Sequence, residues 1–176
     1  MQKKNILRKQ KSTGFTLIEL LFSISIMAII FSVSYANLRG FQQRQRLDNA
    51  VKQVKSDLRL AQEMALAGRK PTEPPGNPCT AVDSDLVGYQ FHRIDDDEYE
   101  IGAICTEDTG ILVVVKGPEA LPTGVDLLNF TGSNILFHAL GRGTDRDPNV
   151  TLRLQTETLN EKTVIVTKTG DIYEGN

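Results

Sequence analysis

The sequence contains few of the residues from which catalytic and metal sites are usually built. Its 176 residues include no Trp, two His and two Cys. His92 and His138 stand far apart, and the sequence has no nucleophile elbow, no phosphate-binding loop and no paired-His motif. Without a second Cys pair or a His cluster, a zinc site is not expected. We therefore expect no enzyme activity, no metal and no cofactor, and interpret both histidines as strand residues.

An acidic run is the remaining candidate for metal binding. Residues 95–98 read Asp-Asp-Asp-Glu, and clustered carboxylates are the ligands that Ca²⁺ prefers. The run lacks the spaced ligands and the Gly of a helix-loop-helix calcium loop. A solvated hairpin turn is the favoured interpretation, and a calcium site is the alternative.

Acidic residues are absent from the first 14 positions, which contain five Lys and Arg residues. The rest of the chain holds 15 basic and 22 acidic residues, a formal balance of −7. An acidic body argues against a general electrostatic attraction to nucleic acid, although a local basic patch remains compatible with it.

Charge is also scarce in the segment that follows. Residues 20–38 form a run of nineteen uncharged positions, and from Phe15 to Leu38 only Glu19 carries a charge at neutral pH. About 20 apolar residues in a helix cross the hydrocarbon core of a bilayer. The basic leader, 1–14, predicts a single pass with the N-terminus in the cytoplasm and the later residues outside. On hydrophobicity alone, a plain signal anchor over residues 1–38 explains the sequence equally well.

The junction between the leader and the apolar run carries a specific motif, Gly14-Phe15-Thr16-Leu17-Ile18-Glu19. It resembles the prepilin cleavage motif of type IV pilins and type II secretion pseudopilins. The resemblance implies that a membrane prepilin peptidase cleaves between Gly14 and Phe15 and methylates the new amine of Phe15. It also implies an assembly role for Glu19, whose carboxylate would pair with the Phe15 amine of a neighbouring subunit. The alternative is a Glu that reaches the cytoplasmic interface.

Helical periodicity continues beyond the apolar run. From Leu47 onward apolar residues recur every three or four positions, which predicts a helix with one buried stripe. With Gly68 as its cap, the helix is expected from Phe15 to Ala67, with an assembly half over 15–38 and an amphipathic half over 39–68. Its first half would lie in the membrane or in a filament core.

A β-rich head is expected over residues 69–176. A proline-rich loop, 69–85, comes first, and alternating patterns then predict short strands. One long helix followed by antiparallel strands is an α+β fold. The predicted strands are Leu86–Ile94, Tyr99–Cys105, Ile111–Lys116 (ended by Gly117-Pro118), Val125–Phe130, Asn134–Leu140, Val150–Thr156, Lys162–Thr167 and Asp171–Glu174.

Several other segments resemble one subgroup of these pilins and pseudopilins. The helix end, 58–68, and the stretches 135–143, 150–154 and 162–173 are similar to pseudopilin H of type II secretion and to FimT-type minor pilins. This implies a pilin-like structural subunit that acts in an extracytoplasmic filament after storage in the inner, cytoplasmic membrane. Its expected partners are other pilin or pseudopilin subunits, the prepilin peptidase and the inner-membrane assembly platform.

The two cysteines, Cys79 and Cys105, lie 26 positions apart in the segment expected outside the membrane. Disulfides persist in that environment, so a Cys79–Cys105 bond is predicted. Two unrelated reduced thiols are the alternative.

A DNA-binding pilin is the competing functional prediction. Some FimT-type pilins bind DNA during natural transformation through basic residues near the C-terminus, and Arg142, Arg146 and Lys168, together with Lys162, form the candidate patch. Acidic residues are interspersed among them, and Asp171 occupies a position that is usually basic in that group.

Overall fold

The structure is a computed structural model that describes residues 14–106, 111–130, 134–141, 143–144, 146–155 and 157–175. Within these ranges, the side chains at 33–39, 129–130 and 157–159 are not described. The chain divides into two compact units, Met1–Phe41 and Gln42–Asn176, which are treated separately below. One helix, α1 (Leu17–Ala67), supplies residues to both units.

In the first unit, α1 starts two residues later than predicted, at Leu17. Every residue from 14 to 32 is exposed, including the large apolar side chains of Phe22, Ile29 and Phe31. Among the residues described, no helix combines the length and the apolar character needed to cross a membrane. The predicted membrane segment, 15–38, includes positions 33–38, whose side chains lie outside the described set.

In the second unit, the predicted buried stripe of α1 is confirmed. Its residues pack into one core with side chains of both sheets described below. The helix ends as predicted at Ala67, where Gly68 has a φ of 60° and donates a hydrogen bond to the carbonyl of Ala65 at 3.1 Å. The buried stripe consists of Leu47, Ala50, Val51, Val54, Leu58, Ala61 and Ala65.

Eight antiparallel strands follow in the described residues, so the predicted α+β fold is confirmed. They form two four-stranded sheets with the orders β3-β2-β1-β5 and β4-β6-β7-β8, called sheet A and sheet B. His92 and His138 lie in β1 and β5, as predicted. The strands are β1 (Leu86–Arg93), β2 (Glu98–Cys105), β3 (Leu112–Ala120), β4 (Val125–Phe130), β5 (Asn134–His138), β6 (Asn149–Leu154), β7 (Glu157–Val166) and β8 (Ile172–Gly175).

The prediction that Gly117-Pro118 ends the third strand is wrong. Strand β3 continues through both residues to Ala120. Among the described residues it pairs with β2 alone and forms an edge of sheet A, and an edge strand tolerates a proline that cannot donate a hydrogen bond. Gly117, with a φ of 117°, lies at one of the register shifts between the two strands.

Most of the other strand predictions also differ at their ends, and β5 and β7 show the reasons. Strand β5 stops at His138 because a 3₁₀ turn, Ala139–Gly141, follows with Leu140 at a φ of 62°. Strand β7 begins at Glu157, five residues before the predicted start, because it pairs with β6 as far as Leu154. That pairing joins backbone groups, so it does not require the apolar alternation on which the prediction rested.

Polar contacts join α1 to the hairpin formed by β7 and β8. Asp48 pairs with Lys162 at 2.7 Å, and Lys55 pairs with Glu174 at 3.8 Å. Farther along the helix, Gln62 donates a hydrogen bond to the carbonyl of Gly170 at 2.7 Å. The three helical positions are seven residues apart, so they lie in one row along the helix.

Candidate assembly site and the contacts of the head

The start of α1 is capped by Thr16. Its side-chain oxygen accepts the N–H of Glu19 at 3.4 Å, and its carbonyl accepts the N–H of Leu20 at 3.2 Å. Thr16 and Glu19 thus occupy the N-cap and N3 positions of a Thr-x-x-Glu sequence, the pattern of a capping box. This Thr-x-x-Glu pattern is visible in the sequence and is sufficient to predict the start of the helix. A carboxylate in the first turn is also favoured by the helix dipole.

The predicted processing and assembly residues lie in an open part of the first unit. Gly14 precedes the helix, and a side-chain carbon added to it would meet no atom within 4 Å. Phe15 and Ile18 are 80% and 74% exposed, and Glu19 is exposed as well. The segment therefore combines an accessible peptide bond, an exposed aromatic residue and a carboxylate one turn into an apolar helix.

The hydroxyl groups of Ser23, Ser25 and Ser32 are satisfied within the helix itself. Ser23 donates a hydrogen bond to the carbonyl of Glu19 at 2.8 Å, and Ser25 donates to that of Leu21 at 2.9 Å. Ser32 donates to the carbonyl of Ile29 at 2.8 Å. A helix that bonds its own hydroxyl groups can enter an apolar environment without leaving polar groups unpaired.

The predicted disulfide is confirmed, since Cys79 and Cys105 are bonded with their Cα atoms 5.1 Å apart. Both residues are buried. Cys79 lies in a 3₁₀ turn, Pro78–Thr80, that is capped by Asn77, whose side-chain oxygen accepts the N–H of Cys79 at 2.8 Å. The bond therefore ties the proline-rich loop to the end of strand β2.

The structure brings together only part of the predicted basic patch. Arg142 lies outside the described residues. Arg146 and Lys168 are exposed and are linked through Thr144, which donates hydrogen bonds from its hydroxyl to the carbonyl of Arg146 at 2.6 Å and from its N–H to that of Lys168 at 3.1 Å. A carboxylate oxygen of Asp147 accepts the N–H of Lys168 at 2.7 Å, which adds a negative charge to the same surface.

Lys162, the fourth predicted member of the patch, is engaged elsewhere. Its ammonium lies 2.7 Å from a carboxylate oxygen of Asp48 on α1. This hydrogen bond is the main cause that raises the pKa of Lys162 above its ordinary value. The residue therefore contributes to the contact between the helix and sheet B.

A buried polar cluster connects α1 to sheet A, and sequence reasoning missed it. Asp57 is only 4% exposed, and its carboxylate accepts hydrogen bonds from the hydroxyl of Tyr99 at 2.7 Å and the ammonium of Lys116 at 2.5 Å. Gln53 donates to the Tyr99 hydroxyl at 3.1 Å. Burial, and next the bond to Asp57, raise the pKa of Tyr99. The position of Asp57 could have predicted its burial, because it is three residues after Val54 and therefore lies on the apolar stripe of α1.

Comparisons with known proteins find similarities to the N-terminal segment and to the fold. Residues 9–35 match the model of the prokaryotic N-terminal methylation motif. No protein of curated function matches the sequence. The fold is similar to a crystal structure of the type IV minor pilin FimU of Pseudomonas aeruginosa, with a TM-score of 0.54 and 10% identity over 77% of this chain and 92% of FimU. A second crystal form of FimU gives a TM-score of 0.50 and 9% identity over 74% of this chain and 93% of that one. The chain is therefore type IV pilin-like in both its N-terminal motif and its fold.

Proposed function

We propose that the chain is the precursor of a minor pilin or pseudopilin, a structural subunit of a type IV pilus or a type II secretion pseudopilus. One observation carries the proposal: the residues that match the methylation motif, 9–35, include an exposed, apolar helical segment with internally bonded hydroxyl groups. Such a surface needs an apolar environment. A bilayer supplies it before assembly, and the helices of other subunits supply it afterwards.

Processing takes place at the start of this helix. A prepilin peptidase cleaves between Gly14 and Phe15 and methylates the new amine of Phe15. The accessibility of the site supports this step, because residues 14–16 are exposed and precede the first helical residue.

Glu19 then acts in assembly. After cleavage, the amine of Phe15 is a cation and the carboxylate of Glu19 is an anion one turn along the helix. Burying either group alone in an apolar environment is costly, but pairing Glu19 with the Phe15 amine of a neighbouring subunit offsets much of that cost. Because only one axial offset brings the two groups together, the pair fixes the register between subunits.

The membrane precursor has its N-terminus in the cytoplasm and its head outside, and it passes from the inner membrane into the filament with the assembly platform as a partner. Repetition of a heterologous, non-closing contact generates a helical filament. We assign no catalytic step to the head. The C-terminal segments that resemble pseudopilin H and FimT-type pilins support placement in that subgroup.

Mass spectrometry of the protein extracted from membranes tests the processing step. The expected mature protein begins at Phe15 with a methylated amine, and Gly14→Ala is expected to leave the leader attached. Gly40→Ala is the matched control, since a side-chain carbon at Gly40 also meets no atom within 4 Å, and it should be cleaved normally. An intact Met1 in cells with an active prepilin peptidase would contradict the proposal.

A DNA-binding minor pilin is the second candidate, and one observation favours it. Thr144 holds the backbone of Arg146 and Lys168 together, and both residues are exposed. The nearby Asp147 and the acidic body weaken phosphate attraction at this surface. A measurement of duplex DNA binding by the full-length protein separates the two candidates.

A further inference from the structure

Strand β3 is an open edge of sheet A. Within the part of the chain that the structure describes, the backbone of Leu112–Lys116 has no hydrogen-bond partner other than β2. Of the other edge strands in the described residues, two are partly covered: β5 forms a bridge to Thr144, and the N–H of Leu127 in β4 donates to the carbonyl of Asp96 at 2.6 Å. A row of unpaired N–H and C=O groups is a template for another strand.

The first half of this edge is apolar, whereas the second half is protected. Val114 and Val115 are 41% and 38% exposed, and Ile111 just before the strand is 53% exposed. Pro118 and the register shift beside it interrupt the second half. Proteins protect strand edges with proline, charge and bulges. On this edge a second register shift lies at Val115, and the charge of Lys116 and Pro118 lie beyond it, whereas Leu112–Val114 has none of these features.

A groove lies beside the apolar half of the edge. Its volume is about 530 Å³, within the usual range of binding pockets, about 300–1,000 Å³. Leu60 and Met64 of α1 line one side, Val114 and Val115 line the strand side, and residues 69–73 complete the wall. An extended segment paired with β3 would therefore place its alternate side chains against apolar surface.

Hydrogen bonds within the chain hold the wall of the groove in place. The hydroxyl of Tyr89 donates to the carbonyl of Arg69 at 2.6 Å, and the ammonium of Lys70 donates to the carbonyl of Ser84. Asn77 donates from its side chain to the carbonyl of Pro71 at 3.3 Å. A preformed site loses little conformational freedom on binding.

The lining of the groove has more positively than negatively charged residues, although the chain after residue 14 has an excess of acidic residues. Its charged residues are Arg69, Lys70 and Glu73, and Arg69 and Lys70 are exposed. This balance favours a partner with a carboxylate near the end of its extended segment.

We propose that β3 and this groove bind an extended segment of a partner polypeptide by strand addition. Backbone groups of the segment pair with Leu112–Val115, its alternate apolar side chains contact Leu60 and Met64, and a carboxylate faces Arg69. This mode of recognition takes affinity from main-chain hydrogen bonds and specificity from alternate side chains. The proposal goes beyond filament assembly, because binding through the head needs neither cleavage nor Glu19.

Peptide binding to the full-length protein in detergent micelles tests the proposal by fluorescence anisotropy, with empty micelles as the blank. The probe is a labelled hexapeptide, Val-Thr-Val-Thr-Val-Asp. A second probe has the same side chains and two consecutive N-methylated amides, so one methyl group faces β3 in either register. We expect the second probe to bind at least about tenfold more weakly, since pairing with β3 loses a donor and meets a steric block. Amide exchange of Leu112–Val115 should slow when the first probe is bound.

Variants locate the binding surface. Val115→Lys should weaken binding about tenfold, because it removes apolar contact and adds charge to the edge. Tyr173→Lys is the matched control, because Tyr173 is 47% exposed on β8, an edge strand of sheet B. This variant should bind the first probe as well as the original protein does. Arg69→Glu should weaken binding of the first probe, which ends in Asp, and strengthen binding of a peptide that ends in Lys. Equal binding of both original probes, no binding of the first, or protection of β8 instead of β3 would overturn the proposal.

Discussion

Truncation of Asp57 is the sharpest test of how the head is held to its helix. Asp57→Ala removes the carboxylate that accepts hydrogen bonds from Tyr99 and Lys116. Tyr99 is fully buried and Asp57 is nearly so, so no water replaces the lost acceptor without a rearrangement. The variant also leaves the ammonium of Lys116 without its closest anion.

The structure bounds the size of the effect. Removing one partner of a buried ion pair costs about 3–5 kcal/mol, but the Lys116 side chain is 32% exposed and also lies 3.9 Å from Glu119. Tyr99 keeps the hydrogen bond from Gln53. Both facts reduce the loss, so we expect Asp57→Ala to lower the free energy of unfolding by about 2–3 kcal/mol. Stabilities of about 5–15 kcal/mol are typical of single domains.

Urea unfolding of a fragment that covers Gln42–Asn176, with the disulfide intact, measures this quantity. A double-mutant cycle with Lys116→Ala isolates the pair, and a coupling of about 1–2 kcal/mol is expected. Asp48→Ala is the control, because the Asp48–Lys162 pair is largely exposed and should contribute at most about 1 kcal/mol. If Asp57→Ala costs no more than Asp48→Ala, or if the coupling is near zero, the assigned role of the buried cluster is wrong.

The pH dependence of stability gives a second measure of the same cluster. The pKa of Tyr99 is raised in the folded head, so above the ordinary tyrosine pKa of about 10 the folded state binds more protons than the unfolded state. The stabilisation is complete below about pH 10 and decreases as the pH rises, by about 1.4 kcal/mol per pH unit for one group. Tyr99→Phe should make urea midpoints between about pH 10 and 11 fall less steeply. The pKa values of Tyr89 and Lys162 are also raised, and both residues contribute equally to the pH dependence of the variant and of the original protein. An unchanged slope in Tyr99→Phe would therefore contradict the role assigned to Tyr99.

Three further predictions test other parts of the chain. Replacing Cys79 and Cys105 by Ala should lower the free energy of unfolding by about 3.5 kcal/mol, the loop-closure value for the 26-residue separation, and an unchanged urea midpoint would contradict it. Glu19→Ala should be inserted and cleaved normally but assemble poorly, with Glu19→Asp intermediate, in a comparison of filament and membrane fractions; normal assembly would refute a register role. We expect the full-length protein in detergent to leave the mobility of duplex DNA unchanged at about 50 mM salt, where phosphate contacts are strong. A salt-dependent shift that is abolished by Arg146→Ala combined with Lys168→Ala would instead identify a DNA-binding pilin.

The features that could be predicted from the sequence are those governed by local chemistry or by a strong period. The stripe from Leu47 to Ala65 identified a helix with one buried face, and Gly68 located its end because a positive φ suits glycine. The two cysteines had only each other as partners in a segment expected outside the membrane. For the same reason the α+β fold was predictable, since the apolar period changes from the helical value to two after the proline-rich loop.

The features that were missed depend on pairing between distant segments. Strand β3 passes Pro118 because it lies at the edge of a sheet, and sequence patterns do not reveal which strands are edges. Strand β7 extends back to Glu157 because β6 supplies hydrogen bonds to its backbone. Asp57 and Lys116 are 59 positions apart, so their pairing becomes visible only when the helix packs on sheet A.

The row of contacts at Asp48, Lys55 and Gln62 has a mechanical consequence. All three side chains reach the β7–β8 hairpin, at Lys162, Glu174 and Gly170. Individually such surface contacts are weak, at about 1 kcal/mol or less. A tensile load along the helix axis, however, acts on all three in shear, so the helix cannot slide past the hairpin until they rupture together. The head is thereby built to withstand pulling along its helix better than peeling away from it, where the contacts would fail one at a time.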